Sequence, residues 1–167
     1  MLDVIITVIV IFLVVTLFGY LTHRALHQPW TGRFYKSHLV HHLKLYPPED
    51  FVSDVYRSPG KDTSILFFAL VSIPLLLLVV LLFIGGILSG LLTIIALSEM
   101  LFLGWLHDYL HDSFHIKNHL GSKIFNKKLY DRWIAIHFNH HLNLQKNLGI
   151  FWFGWDKLFR TFLNDNA

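Results

Sequence analysis

Two long uncharged stretches dominate the pattern of hydrophobic and polar positions. The first runs from Val4 to Thr22, close to the roughly 20 residues that a helix needs to cross a bilayer. The second runs from Thr63 to Ser98, which is long for one span, and Gly85-Gly86 divides it. One long tilted helix is the alternative, which the glycine pair disfavours. The pattern therefore predicts three membrane-spanning helices, at about 3–22, 63–84 and 87–106.

The first stretch is expected to be retained rather than removed as a signal peptide. A signal peptide has a basic start and a cleavage site with small residues. Here the stretch follows the acidic Asp3 and ends in Gly19-Tyr20-Leu21-Thr22-His23-Arg24. We therefore interpret it as the first membrane helix.

The basic residues give the expected orientation of the helices. All fourteen Lys and Arg residues lie within 24–61 or 117–160. Three spans place both segments on one side of the membrane, and the positive-inside rule predicts that this side is cytoplasmic. We predict a single domain over 1–167, an all-α integral membrane bundle in which 23–62 and 107–167 form a cytoplasmic, histidine-rich helical cap.

The composition of the chain limits the possible metal ligands and binding partners. The chain is 54% hydrophobic and 15% charged, and it contains no cysteine. Disulfides, iron–sulfur clusters and thiolate ligands are therefore excluded, and any bound metal must use nitrogen and oxygen ligands. So apolar a chain does not suit nucleic acid as a partner. The basic stretch with Lys123, Lys127 and Lys128 is expected to face anionic lipid or an acidic partner.

The twelve histidines all lie in the two polar segments. They form the groups HRALH (23–27), HLVHH (38–42), HDYLHDSFH (107–115) and HFNHH (137–141), with His119 alone. Positions i, i+3 and i+4 share a face of an α-helix, so each HxxHH is expected to present three imidazoles to one side. A single HxxxH is weak evidence and one HxxHH is suggestive, but two HxxHH motifs, an HxxxH and the series of histidines four apart at 107–115 together predict a metal site with nitrogen ligands. The alternatives are structural histidines without metal and a pH-sensing patch.

Several other polar residues are candidates near this site. Glu99 carries a carboxylate at membrane depth, which is costly, so we expect it to face a substrate path or to bond to Ser98 or Ser72. Asp108 and Asp112 are expected either to orient ligand imidazoles or to be solvated surface charges. The irregular segment 45–61 is expected to cover the metal site or a donor surface, or to be a plain connector.

In this order, the four histidine motifs resemble those of the fatty acid hydroxylase/sterol desaturase superfamily of membrane di-metal oxygenases. The ending also resembles the family, with Asn147-Leu148-Gly149 followed by Trp155-Asp156-Lys157-Leu158-Phe159. In the third motif both His107–His111 and His111–His115 fit the family's HxxxH, so His107 is kept as an alternative ligand. The resemblance implies these metal ligands: His23, His27, His38, His41, His42, His111, His115, His137, His140 and His141.

The resemblance also implies an activity. It implies an oxidoreductase in which two iron ions activate dioxygen to hydroxylate an unactivated C–H bond of a fatty acyl, sterol or carotenoid-type lipid from the bilayer. Imidazole also binds zinc, so zinc is an alternative metal in the purified protein. Since the chain lacks the His-Pro-Gly-Gly of cytochrome b5, we expect a separate electron donor of cytochrome b5, ferredoxin or reductase type. No catalytic residue beyond the metal ligands is expected. A lipid desaturase with the same metals and a non-catalytic metal-binding membrane protein are the alternatives.

Overall fold

The computed structural model describes residues 1–57 and 64–164, and their regular structure is helical. The α-helices are α1 (Leu2–Leu26), α2 (Arg33–Val40), α3 (Ser64–Ile84), α4 (Gly90–Ser113), α5 (Gly121–Ile124), α6 (Lys127–Leu142) and α7 (Gly154–Leu158). Two 3₁₀ turns (Pro29–Thr31 and Pro48–Asp50) and a π-helical turn (His41–Leu45) join them. The described chain has one isolated β-bridge, between Ser53 and Ile116. The predicted all-α fold is confirmed.

Three helices are long and apolar enough to cross a membrane: Leu2–Leu26, Leu66–Ile84 and Gly90–Ser113. The predicted number of spans is therefore confirmed. The first helix runs past the expected end at 22 and the third past 106, because backbone hydrogen bonding continues beyond the apolar positions into the histidine motifs. Residues 58–61 of the predicted irregular segment and the predicted start of the second span at residue 63 lie outside the described residues.

The turn between α3 and α4 is set by a glycine and a helix cap. Gly86 has a positive φ of 72°, a conformation that costs other residues more than glycine. The Ser89 side chain then accepts a hydrogen bond from Leu92 N at 3.3 Å and caps α4. The helix consequently begins at Gly90, three residues later than the expected start at Ile87.

The three spanning helices pack together through apolar side chains. Helix α4 contacts both α1 and α3, and Val79, Ala96 and Met100 are buried between them. Many apolar residues on the outer faces remain exposed, among them Ile9 and Leu81. Such outward-facing apolar surface suits the hydrocarbon region of a bilayer.

The C-terminal helices pack against the histidine-bearing ends of α1 and α4. Leu110, Phe114 and Tyr130 form a buried cluster that joins α4 to α6, and the Tyr130 hydroxyl donates to Ser113 Oγ at 2.9 Å. Trp155 Nε1 donates to Thr16 Oγ1 at 3.0 Å, so the α7 region lies on α1. These contacts bring the last histidine motif onto the first and third.

Candidate metal centre

One group of five buried histidines draws on three separate parts of the chain. In this first histidine cluster, one ring nitrogen of each residue lies within 4.8 Å of the others; the members are His23, His27, His38, His42 and His140. His27 Nε2 lies 3.1 Å from both His38 Nε2 and His140 Nε2, and His38 Nε2 lies 3.1 Å from His42 Nε2. Ring nitrogens from α1, α2 with its π-turn, and α6 therefore converge on one small volume.

A second histidine cluster has four buried members: His41, His111, His115 and His137. His115 Nε2 lies 3.2 Å from His137 Nε2. The ring centroid of His41 is 4.8 Å from those of both His111 and His115. The two clusters adjoin, since the rings of His38 and His41 stack with centroids 5.9 Å apart.

The three imidazoles of one HxxHH motif do not all serve the same cluster. His38 and His42 belong to the first cluster, whereas His41 belongs to the second. Adjacent residues on a helix differ by about 100° in direction, so a three-histidine face is wide enough to serve two sites. A π-helical turn occurs here, with Tyr46 N donating to His41 O at 2.8 Å, and such turns are frequent at functional sites.

The last motif is divided in the same way. His140 belongs to the first cluster and His137 to the second. His141 lies between the two, with its ring centroid 4.1 Å from that of His42 and 4.8 Å from that of His115. Two of the motifs therefore supply side chains to both clusters, which ties the clusters into one unit.

Backbone carbonyls fix the protonation of the key rings. The Nδ1 atoms donate to the carbonyls of non-helical segments: His23 to Leu148 (2.7 Å), His115 to Phe51 (3.0 Å), His140 to Lys146 (2.7 Å) and His141 to Tyr46 (2.8 Å). A neutral ring with its proton on Nδ1 has a lone pair on Nε2. This outer shell thus orients each imidazole with Nε2 ready to bind a metal.

Burial keeps these rings neutral. It lowers the pKa of His27 from its ordinary value to about 4 and that of His141 to about 3. Burial and then neighbouring imidazoles lower the pKa of His38, His42 and His137 well below the ordinary range. Neutral imidazole is the form that binds metal ions, so the environment favours ligation.

The first cluster suits a cation better than protons. Because His140 donates through Nδ1, its Nε2 has only a lone pair. If His27 Nε2 donates its proton to His140, it has neither a second proton nor a lone pair to offer His38. The Nε2 atoms of His27 and His38 nevertheless also lie 3.1 Å apart. Hydrogen bonds therefore cannot satisfy every contact, whereas a cation accepts several lone pairs at once. His23 Nε2 and His141 Nε2 are also buried without a hydrogen-bond partner among the described residues.

The remaining candidates lie around the clusters. Asp112 Oδ1 accepts from His111 Nδ1 at 3.2 Å, as an orienting carboxylate would. His107 belongs to neither described cluster and lies one turn before His111. His119 is also outside them; its Nδ1 accepts from Gly121 N at 3.1 Å.

A cavity of about 460 Å³ lies between the spanning helices. Residues from α1, α3, α4 and the segment 149–152 line it, and His107 and Asp108 are among them. Glu99 is not among the described lining residues, and its Oε2 is buried without a hydrogen-bond partner among the described residues. Since His107 precedes His111 by one helical turn, one end of the cavity adjoins the second cluster.

Sequence reasoning did not assign a role to Asp156, which holds one of the ring-binding carbonyls in place. Asp156 is fully buried, and its carboxylate accepts from Leu148 N (2.8 Å), Gly149 N (2.9 Å) and Thr161 Oγ1 (2.8 Å). Asp156 thereby fixes the residue whose carbonyl bonds His23. The described part of the segment 45–61 covers the second cluster, because the Tyr46 ring stacks on His115 at 4.1 Å. In the sequence, Asp156 stood out only as part of the ending at 155–159 that resembles the family.

Comparison with known proteins adds one finding. A sequence model of the family described as fatty acid hydroxylase matches residues 8–161. The matched range contains all twelve histidines. The corresponding searches of curated proteins and of solved structures give no match.

Proposed function

Because the chain belongs to the fatty acid hydroxylase family, we propose that it is a membrane-bound di-iron oxygenase that hydroxylates an unactivated C–H bond of a lipid. The observation that carries the proposal is the pair of adjoining, buried, all-histidine clusters beside an apolar cavity. The family is metal-dependent, and the clusters offer five and four nitrogen ligands. Two iron ions fit this inventory, with zinc as the alternative occupant.

In this proposal the side chains bind the metal ions, orient the ligand rings and enclose the substrate. Bound iron supplies the reactivity toward dioxygen, which belongs to the metal rather than to the side chains. The first cluster and the second cluster, with His141 between them, hold the ligand nitrogens, and the carbonyls of residues 46, 51, 146 and 148 hold four rings in one tautomer. Phe51 and Tyr46 cover the second cluster and keep it dry. The cavity orients an apolar substrate from the bilayer with its reacting carbon toward the histidines.

The proposed reaction requires an external reductant. One oxygen atom of dioxygen enters the C–H bond and the other leaves as water, so two electrons and two protons must be supplied. A separate protein of cytochrome b5, ferredoxin or reductase type is the proposed donor. The basic segments support placing the histidines, and hence the docking donor, on the cytoplasmic face.

Oxygen incorporation tests the reaction. Membranes containing the wild-type chain, supplied with reductant under ¹⁸O₂, are expected to yield a lipid heavier by one ¹⁸O atom, as measured by untargeted mass spectrometry of the lipid extract. Membranes containing His140→Ala serve as the inactive comparison. A product lacking two hydrogens and carrying no ¹⁸O would identify a desaturase instead. An unchanged lipid profile, from protein shown to hold metal and to accept electrons, would identify a non-catalytic metal-binding protein.

Cysteine labelling tests the orientation. The chain has no cysteine, so single cysteines report cleanly. Lys128→Cys, exposed on α6, is expected to resist a membrane-impermeant maleimide in intact cells and to react after lysis. Ile87→Cys, at a position that is 71% exposed in the α3–α4 turn, is expected to react in intact cells. The reverse pattern would place the histidines on the outer face.

A further inference from the structure

We propose that His107 is a substrate-binding residue, whose imidazole holds an uncharged oxygen atom of the lipid at the inner end of the cavity. The inference rests on the proposed function and names the class of its substrate: a lipid with a hydroxyl or carbonyl oxygen close to the carbon that reacts. It separates His107 from the metal ligands, with which its sequence motif groups it.

The position of His107 along α4 supports this role. The residue lines the cavity, and three histidines of the second cluster follow it in the chain: His111, His115 and His137. His111 lies four residues further, or roughly 6 Å along the helix axis. His107 is therefore at the end of the cavity nearest the clusters without being a member of either.

The hydroxyl groups of the cavity are already paired within the protein. Three hydroxyl groups line it, and each has a partner in the protein: Thr16 Oγ1 donates to Phe12 O (2.7 Å), Ser72 Oγ donates to Phe68 O (2.7 Å), and Tyr20 OH lies 3.2 Å from Thr161 Oγ1. By contrast, His107 Nε2 is buried and has no hydrogen-bond partner among the described residues. A buried polar atom left unpaired is costly, so a ligand that pairs with it gains affinity.

A glycine and an aromatic ring flank the imidazole of His107. A methyl group built on Gly19 would lie 3.7 Å from His107 Cδ2 and 3.9 Å from Nε2, in ordinary van der Waals contact, so the α1 side of the ring faces only a glycine at this position. Phe68 packs against another side of the ring, with centroids 5.0 Å apart. Gly19 and Phe68 also line the cavity, so His107 stands at an otherwise apolar wall.

The charges around the cavity disfavour an anionic ligand group. Among the described residues that line it, none is Lys or Arg, and the one acidic residue is Asp108. Burying a carboxylate or sulfate there would leave a charge without a cationic partner, which is strongly unfavourable. A neutral imidazole instead offers one donor and one acceptor, which suit a hydroxyl or a carbonyl oxygen. The lipid is therefore an alcohol, ketone or ester in this region.

Quenching of tryptophan fluorescence measures this preference without turnover. Trp105 and Trp152 line the cavity, and bromine atoms quench indole fluorescence on contact. We would titrate purified metal-loaded protein in detergent, without reductant, with three 9,10-dibromo-octadecyl probes that end in a methyl, a hydroxyl or a sulfate group. Wild-type protein is expected to bind the alcohol about tenfold more tightly than the hydrocarbon, the gain from one buried hydrogen bond. It is expected to bind the sulfate no more tightly than the hydrocarbon.

His107→Phe should remove the preference for the alcohol while retaining the aromatic packing and the metal content. His107→Gln should keep part of the preference, because an amide also donates and accepts. Gly19→Val is a second, independent variant, expected to lower the preference by filling the space beside Nε2. Thr7→Ala is the control; this hydroxyl on α1 is not among the described lining residues and already donates to Asp3 O at 2.8 Å, so the wild-type preference should remain.

Two results would overturn the inference. Loss of metal from His107→Phe would make His107 a ligand, and an unchanged preference in both His107→Phe and Gly19→Val would show that the imidazole does not contact the lipid. Neither result depends on oxygen chemistry. A protein that binds the alcohol through His107 but incorporates no ¹⁸O would contradict the proposed oxygenase function alone.

Discussion

Alanine at His140 is expected to weaken metal binding at the first histidine cluster and to leave the second cluster intact, while alanine at His41 does the reverse. Each substitution removes one ring nitrogen from a single cluster. Loss of an outer-shell partner alone typically lowers metal affinity by about 10- to 100-fold, so loss of a ligand should exceed that range. Turnover should fall to background in both variants, because the proposed chemistry uses both sites.

The measurement is elemental analysis of purified, untagged protein during a stepwise challenge with a chelator. Wild-type protein should retain about two metal ions per chain, following the two clusters of five and four ligands. Each variant should release about one ion early and keep the other. Iron would favour the oxygenase chemistry over a zinc site. His119→Ala is the matched control, since this histidine lies outside both described clusters and accepts a bond from Gly121 N. If His140→Ala retained both ions as well as the wild type does, the ligand assignment would be wrong.

Removal of the Asp156 side chain is expected to destabilise the protein strongly and to loosen the first cluster. The carboxylate is fully buried and accepts hydrogen bonds from Leu148 N, Gly149 N and Thr161 Oγ1. Asp156→Ala would leave these donors buried and unpaired, at a cost of about 1–3 kcal/mol each, or roughly 3–5 kcal/mol after local relaxation. Since the Leu148 carbonyl accepts from His23 Nδ1 at 2.7 Å, movement of Leu148 would also release the His23 ring.

Thermal melting in detergent and the rate of metal release to a chelator test this expectation. Asp156→Ala should melt far below the wild type and lose metal faster, and Asp156→Asn should be intermediate because it keeps one acceptor oxygen. Asp131→Ala is the control. Its exposed carboxylate pairs with Lys127 on the same helix, and such surface pairs contribute about 0.5 kcal/mol. If Asp156→Ala melted like Asp131→Ala, the buried carboxylate would have no structural role.

Much of the fold followed from the sequence because the determinants were local. Apolar length and the Gly85-Gly86 break indicated three spans, and the structure has three helices of that kind. The helix ends were less accurate, since a helix ends where its backbone hydrogen bonds end and not where the apolar residues stop. The capping role of Ser89 was not recognised, although a serine directly before an apolar run is typical of a helix N-cap.

The candidate site was predictable in its residue types and less so in its arrangement. Helical spacing identified the histidines as candidate ligands. It could not assign the adjacent His41 and His42 to different clusters, because that assignment depends on which helices pack beside them. It also left His107 in competition with His115, and the packing of α4 against α6 decides which of them joins His137. The acceptors at Tyr46 and Leu148 are main-chain carbonyls, which any residue type provides, so no sequence pattern marks them.

The first histidine cluster also constrains when the protein can acquire its metal. His27 and His140, whose Nε2 atoms lie 3.1 Å apart, are separated by 113 positions in the chain. The ribosome produces residues in order, and N-terminal parts fold first. The α1 and α2 histidines are therefore made long before their partners on α6. Neither cluster is complete in a nascent chain until α6 has emerged. Metal loading is then a late event in biogenesis, and chains truncated before α6 should pass through the membrane insertion machinery without a completed centre.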